Sequence, residues 1–163
     1  MAVKKTGLSA DLLIHPGETI ADILEERNIT QAELAARTGV SAAYVSNVIS
    51  GKKDISAGFA MGLEYALGVP KSFWLNLQAN YDAELLELNE ELTISSEECT
   101  ALGDMEEVVL YLKNTGRIPD EITPEQTVLA LRRILQISNI VNLKKVVPAG
   151  TWTDLKLAYN WDE

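Results

Sequence analysis

The stretch TGVSAAYVSNVISGK, residues 38–52, carries the side chains whose types and spacing could do chemistry. Gly39 permits a tight turn, Ser41 is a helix N-cap residue, and a short helix follows whose outer residues are alanine, tyrosine, serine and asparagine. The carboxamide of Asn47 can make a bidentate contact with adenine, and lysines after the helix can neutralise phosphates. The pattern is typical of a helix that enters the major groove of DNA.

The charge of the chain is unevenly distributed, which explains how an acidic protein could approach a polyanion. The formal net charge is −10. Residues 1–80 hold seven Lys/Arg against eight Asp/Glu, a net charge of −1, whereas residues 81–163 hold seven against sixteen, a net charge of −9. A nearly neutral first half can still present a local basic edge to phosphates.

The composition excludes several classes of function. One cysteine, Cys99, cannot form an internal disulfide, and one histidine, His15, cannot build a Cys/His zinc site. No HExxH motif, phosphate-binding loop or catalytic triad can be assembled, so we expect neither an enzyme nor a cofactor or metal. No apolar run approaches the roughly 20 residues of a membrane span, and we expect a cytoplasmic protein without a membrane role. Cys99 is expected to be buried or half-buried.

Caps and helical spacing predict an all-α fold. Pro16 is suited to the first turn of a helix, and Thr30 with Glu33 predicts a capping box at the second helix. The predicted helices cover residues 16–27, 30–39, 41–51 and 56–68, with a fifth from about residue 71. Helices are also expected in EEVVLYLKNTGRIP and PEQTVLALRRILQIS. We predict a five-helix DNA-binding domain in residues 1–82 and an acidic, mostly helical partner-binding or linker region in residues 83–163.

The segment ITQAELAARTGVSAAYVSNVISGKK resembles the helix-turn-helix of the Xre/lambda-repressor-like family. The flanking IHPGE and FWLNLQ, the latter followed by YD, are similar to HigA-type antitoxins over roughly residues 14–87. This resemblance implies that His15 orders the first helical turn through a hydrogen bond. From about Leu88 onwards, LKNTGRIP and LRRILQISN resemble the linker domain that some HigA-like proteins carry before a zinc metallopeptidase module. A separate metallopeptidase is therefore one candidate partner.

The family geometry gives each candidate DNA-binding residue a role. In this family the second helix of the motif, here the predicted helix 41–51, is the reading helix. Its N-terminal residues reach base edges while flanking groups hold phosphates. The expected base contacts are Ala42, Ala43, Tyr44 and Asn47, with a phosphate as the alternative target of Tyr44. The expected phosphate contacts are Gln31, Ser41, Ser46, Lys52 and Lys53. Helix propensity alone explains the two alanines equally well.

One reading helix contacts only a few base pairs, so we expect a homodimer on a palindromic operator. The fifth helix is the expected dimer interface, through Trp74, Leu77 and Tyr81, although the same apolar stripe would also suit a core. Residues 82–107 contain ten acids and no base. This acidic segment fits either a solvated face or a surface that holds a basic toxin protein.

Three functions stay open at this point. The first is the antitoxin and autorepressor of a HigBA-like toxin–antitoxin module, whose toxin in this family is typically an mRNA-cleaving RNase. The second is a phage-type or stress repressor without a toxin, and the third is a protein-interaction module that does not read DNA. On the first hypothesis the toxin contact comprises acids and leucines in and after the fifth helix. These are Glu84, Glu87, Glu90, Glu91, Glu97 and Glu98, with Leu85, Leu86 and Leu88.

Overall fold

The computed structural model describes residues 13–147 and 152–161, and these are helical with no β-strand. The all-α fold expected from the sequence is confirmed. The chain divides between Leu88 and Asn89 into two compact units. The fifth helix ends the first unit at Leu88, whereas the sequence placed the domain boundary after residue 82. The role of the second unit as a partner-binding or linker region stays a prediction.

Residues 13–88, the described part of the first unit, form five helices. They are α1 (Pro16–Arg27), α2 (Gln31–Thr38), α3 (Ala42–Ile49), α4 (Ala57–Leu67) and α5 (Lys71–Leu88). Thr30, Ser41 and Ser56 cap the starts of α2, α3 and α4, each accepting the backbone N–H three residues on. These side-chain caps satisfy donors that a helix start leaves without a partner.

Half of the capping box expected at α2 is present. The hydroxyl of Thr30 accepts a hydrogen bond from the backbone N–H of Glu33 at 3.1 Å. The Glu33 carboxylate, however, accepts from the Arg37 guanidinium at 2.6 Å, one helical turn further along α2. A charged partner on the same helix face therefore replaces the return bond to the backbone of Thr30, and this part of the prediction was wrong.

The core of the first unit is formed by the inward faces of all five helices. Its fully buried members include Ile20, Leu34, Val45, Leu63 and Trp74. Each of these five side chains lies on a different helix, so the core connects α1 through α5. Core packing of side chains such as Val45 thereby fixes the position of α3, while the opposite face of this helix stays exposed to solvent.

Residues 89–147 and 152–161, which are the described residues of the second unit, form five helices and two short 3-10 turns. The helices are α6 (Ser96–Gly103), α7 (Glu106–Asn114), α8 (Pro124–Ile134), α9 (Leu143–Val146) and α10 (Trp152–Ala158). The 3-10 turns cover Glu90–Thr93 and Ile140–Asn142. Both α6 and α8 begin with complete capping boxes, Ser95 with Glu98 and Thr123 with Gln126. An apolar core that includes Leu112, Val128 and Leu131 lies between the helices.

A buried ion pair lies within the second unit. The carboxylate of Glu98 is 0% exposed and accepts from the Nε of Arg132 at 3.0 Å and from the backbone N–H of Ile140 at 3.1 Å. Burial alone would raise the pKa of Glu98, but the hydrogen bonds from Arg132, Ile140 and Ser95 outweigh it, so its pKa lies below the ordinary value of 4.5. Glu98 therefore cannot belong to an exposed toxin contact, and that expectation was wrong.

Two other expectations about the acidic segment change with the structure. Glu90 lies 2.7 Å from the guanidinium of Arg133 and is half-buried, so it is not a free surface charge. Cys99 is exposed, although the sequence suggested a buried or half-buried thiol. It follows Glu98 on α6, and in that turn the Glu98 carboxylate occupies the inward-facing position.

Across the described ranges, none of the helices combines the length and the apolar character that a bilayer crossing requires.

Candidate nucleic-acid interface

A tight turn joins α2 to α3. Gly39 has φ +74°, in the left-handed region that favours glycine, and its N–H donates to the carbonyl of Ala35 at 2.9 Å. The N–H of Val40 donates to the same carbonyl at 3.1 Å. A Cβ on Gly39 would contact nothing, so the backbone conformation and not space calls for glycine. Ser41 then caps α3 by accepting the N–H of Tyr44 at 3.1 Å.

The two faces of α3 differ in exposure. Val45 and Val48 are fully buried against the core of the first unit. Ala42, Ala43 and Ser46 are exposed, as is the capping Ser41, and Asn47 is half-buried. The Asn47 carboxamide has no hydrogen-bond partner among residues 13–147 and 152–161, so both its donor and its acceptor can meet a ligand.

Tyr44 is held by its neighbours rather than extended from the helix. Its ring meets that of Phe59 edge to face, with the centroids 5.2 Å apart. The Nζ of Lys53 lies 5.1 Å from the centre of the Tyr44 ring, and the phenol oxygen lies 3.3 Å from the hydroxyl of Ser56. The phenol therefore ends beside the start of α4, where a lysine and a serine hydroxyl also lie. This position suits a phosphate contact better than a base contact.

The loop after α3 presents the two lysines. The backbone N–H groups of Lys52 and Lys53 both donate to the carbonyl of Asn47, at 2.8 and 3.1 Å. These bonds wrap the loop around the end of α3, and both lysines stay exposed. Gln31 is exposed in the first turn of α2. The structure thus brings the lysines to the reading helix and leaves Gln31 at the start of the neighbouring helix.

Sequence reasoning missed Gln78, which fixes this loop from α5. Gln78 is buried, and its Oε1 accepts the backbone N–H of Ile55 at 2.9 Å. Its Nε2 donates to carboxylate oxygens of Asp54 at 3.3 Å and Asp82 at 2.8 Å. The sequence feature that could have indicated this role is an amide within the apolar stripe FWLNLQ, because a polar side chain buried with such a stripe needs hydrogen-bond partners. Gln78 thereby fixes the chain at Asp54 and Ile55, which directly follow Lys52 and Lys53.

His15 orders the start of α1, as expected. Its Nδ1 accepts a hydrogen bond from the N–H of Gly17 at 2.9 Å. The ring lies edge to face with Tyr81, at 4.8 Å between centroids, and 3.4 Å from where a Cβ on Gly51 would be. Gly51 lies two residues after the end of α3 and has φ +77°. The histidine thus contacts the end of the reading-helix segment as well as α5.

The structure corrects the expected dimer interface in one respect. Trp74 is 0% exposed, and its indole N–H donates to the carbonyl of Val69 at 3.2 Å. The indole belongs to the core of its own unit and cannot contact a second copy. Leu77 and Tyr81 are half-buried, while Phe73, one turn before Leu77, is 44% exposed. A dimer contact through α5 would therefore use Phe73 in place of Trp74.

Comparisons with known proteins agree with this geometry. Residues 20–74 match the helix-turn-helix family model HTH_3. Virulence-associated protein A' of Dichelobacter nodosus is 41% identical over 69 residues, which cover 42% of this chain and 60% of that relative. The match thus spans less than two thirds of the relative's length. The uncharacterized HTH-type transcriptional regulator YddM of Escherichia coli (strain K12) is 30% identical over 63 residues, 39% of this chain and 67% of the regulator.

Two solved structures of similar sequence are described as HigA proteins. An addiction module antidote protein of the HigA family from Coxiella burnetii is 30% identical, with 51% of this chain and 96% of that chain covered and a TM-score of 0.46. Pseudomonas aeruginosa antitoxin HigA, solved with the higBA promoter, is 32% identical over 52% of this chain and 97% of its own, also with a TM-score of 0.46. With two thirds of the E. coli regulator aligned at 30% identity and residues 20–74 matching the family model, the chain belongs to the helix-turn-helix family, as the resemblance of residues 29–53 predicted.

Proposed function

We propose that this protein is a sequence-specific DNA-binding transcriptional regulator, and that it serves as the antitoxin and autorepressor of a HigBA-like toxin–antitoxin pair. The observation that carries the DNA-binding part is the outward face of α3. It bears no acid, it carries an amide that has no hydrogen-bond partner among the described residues, and two exposed lysines lie at its C-terminal end. This arrangement meets the requirements of a helix placed in the major groove.

The contacts separate into base reading and phosphate binding. Asn47 is the candidate for a bidentate contact to adenine, and the exposed methyl groups of Ala42 and Ala43 suit thymine methyls. Ser41, Ser46, Lys52, Lys53 and Gln31 are exposed hydrogen-bond donors or cations that suit the backbone on either side. Tyr44 joins this second group, because its phenol lies beside Ser56 and Lys53.

A homodimer on a palindrome would supply the specificity that one such helix lacks. Two copies of α3 would lie about 34 Å apart, one turn of B-DNA, if the dimer follows the usual geometry of this motif. We propose α5 as the dimer contact, through Phe73, Leu77 and Tyr81. The exposed ring of Phe73 supports this assignment, since an apolar side chain on the surface gains free energy when a partner covers it.

Two observations support the antitoxin part. The sequence is 30–32% identical to proteins described as a HigA-family antidote and the antitoxin HigA. The net charge of −9 in residues 81–163 would repel DNA but attract a basic protein. A toxin that grips RNA must itself be cationic, so an acidic unit attached to a DNA-binding unit could hold the toxin and the operator together.

A gel shift with the protein's own upstream DNA tests the first part. Specific binding that survives excess scrambled competitor, and that Asn47→Ala weakens, is the expected result. Failure to distinguish the upstream DNA from scrambled DNA would refute the DNA-reading function. Co-expression with the adjacent gene tests the second part. Rescue of growth from that gene product, together with a stable complex, is expected, and absence of both would leave a repressor without a toxin.

A further inference from the structure

The second unit contains an open groove of about 630 Å³ between α6, α7, α9, α10 and the turn Ile140–Asn142. Its floor is apolar and includes Met105, Val108, Ile140 and Leu143, which are buried in the core beneath it. Val141 lines the same groove and is 41% exposed, so the apolar surface extends to the opening. This volume lies within the range of roughly 300–1,000 Å³ that is usual for ligand-binding clefts, so the groove can accommodate a few side chains.

The rim of this groove is acidic. Glu97, Asp104, Glu106 and Glu107 line it and are all exposed, against one cation, Lys144. Four acids and one lysine give the groove a net charge of −3. None of these four acids makes an ion pair within the described part of the chain. The rim therefore retains an unbalanced negative charge.

The contrast with neighbouring acids of the same unit is informative. Glu98 and Glu90 are each neutralised by an arginine of α8. The acids at the groove have no such partner, although Lys144 lines the same groove. Glu97, Glu106 and Glu107 lie in the first turns of their helices, where a negative charge stabilises the helix through its dipole. The dipole explains why acids occur at these positions, but it does not explain the apolar floor that lies between them.

We infer that this groove binds a cationic amphipathic segment of a partner protein, with apolar side chains on the floor and Lys or Arg side chains at the rim. The inference deepens the proposed function and rests on it, since it gives a basic toxin a specific binding site on the second unit. Helices that place an apolar face in a hydrophobic groove are a recurrent mode of recognition, and here the rim selects the charge of the ligand. DNA is excluded as the occupant by the sign of the rim.

The test uses the full chain and a fluorescein-labelled helical peptide of alternating leucine and lysine pairs, with binding followed by anisotropy at low and high salt. The triple variant Asp104→Asn, Glu106→Gln and Glu107→Gln removes the rim charge. Its matched control, Asp120→Asn, Glu121→Gln and Glu125→Gln, changes the net charge by the same amount at exposed acids of the same unit that do not line the groove. We expect the rim variant to bind about tenfold more weakly at low salt and the control to change less than about threefold.

Two further measurements separate a groove from a general charge effect. Val141→Asp should weaken binding of the peptide even though its negative charge would attract lysine, because it places a carboxylate on the apolar surface. A peptide in which glutamine replaces every leucine should bind at least about tenfold more weakly than the leucine peptide. Equal losses in the rim and control triples, or no loss in either, would overturn the inference. Operator binding by all variants, checked by gel shift, keeps this outcome separate from failure of the DNA-reading function.

Discussion

Gly17 and Val48 approach each other so closely that a Cβ on Gly17 would lie 2.3 Å from the carbonyl oxygen of Val48. The same Cβ would lie 2.5 Å from the carbonyl oxygen of Ile49. Both oxygens belong to the last turn of the candidate reading helix, and Gly17 belongs to the first turn of α1. The end of the reading helix is therefore fixed by a backbone contact that only glycine permits.

Gly17→Ala should destabilise the first unit, because the added methyl meets backbone atoms that cannot rotate away. We expect a loss of about 1–3 kcal/mol in the free energy of unfolding, with weaker operator binding as α3 shifts. The matched control is Gly58→Ala on α4, where a Cβ meets nothing within 4 Å. That variant should be neutral or stabilising by about 0.4–1 kcal/mol. Thermal denaturation of both variants gives the answer, and equal stability would contradict the close contact.

Glu98→Gln should destabilise the second unit by about 3 kcal/mol, because it leaves the Arg132 guanidinium without its buried counter-charge. Glu97→Gln, one residue earlier and exposed, should change the free energy of unfolding by less than about 0.5 kcal/mol. Denaturant unfolding followed by circular dichroism distinguishes the two variants.

The stability that Glu98 contributes should depend on pH. Its pKa is lowered in the folded protein, since the hydrogen bonds to the carboxylate outweigh desolvation. A lowered folded-state pKa means that the contribution is complete above the ordinary value of 4.5 and is lost as the pH falls below it. The difference in unfolding free energy between wild type and Glu98→Gln should therefore shrink in acid. A difference that stays constant down to about pH 3 would show that the carboxylate charge contributes nothing.

Asn47→Ala should lower the discrimination between the operator and a mutated operator by about 1–3 kcal/mol, because it removes a bidentate amide. Lys52→Ala should instead weaken binding to all sequences about equally and reduce the salt slope by about 1. Titrations of both variants against both DNA duplexes at several salt concentrations measure the two effects. Unchanged specificity in Asn47→Ala would assign base reading to Ala42 and Ala43 or to DNA shape.

Phe73→Lys should shift a homodimer towards monomer, because the charge would be placed where an apolar contact is proposed. Sedimentation at tens of micromolar measures the change, and circular dichroism confirms that the fold is retained. Ser72→Lys, at the preceding exposed position of α5, is the control for added charge. A wild-type protein that sediments as a monomer with and without operator DNA would exclude the dimer altogether.

The sequence by itself determined the local features of the first unit. Thr30, Ser41 and Ser56 mark the starts of α2, α3 and α4, and Gly39 marks the turn, because a cap joins a side chain to a backbone N–H only three residues away. The face of α3 that is buried follows from the spacing of Val45 and Val48. Local rules suffice wherever both partners of an interaction lie in the same short segment.

Only the tertiary structure decided which polar and aromatic side chains are buried. Gln78 fixes the loop at Ile55 across 23 residues, and Glu98 reaches Arg132 across 34 residues. From the sequence alone a carboxylate is assigned to the surface, because burying a charge costs free energy unless a partner is present. A partner as far away in the sequence as Arg132 is from Glu98 leaves no local pattern that would predict the burial. For the same reason Trp74 read equally well as an interface or as a core residue. The packing of α5 against the other helices placed the Trp74 indole in the core, because burial there removes its apolar surface from water.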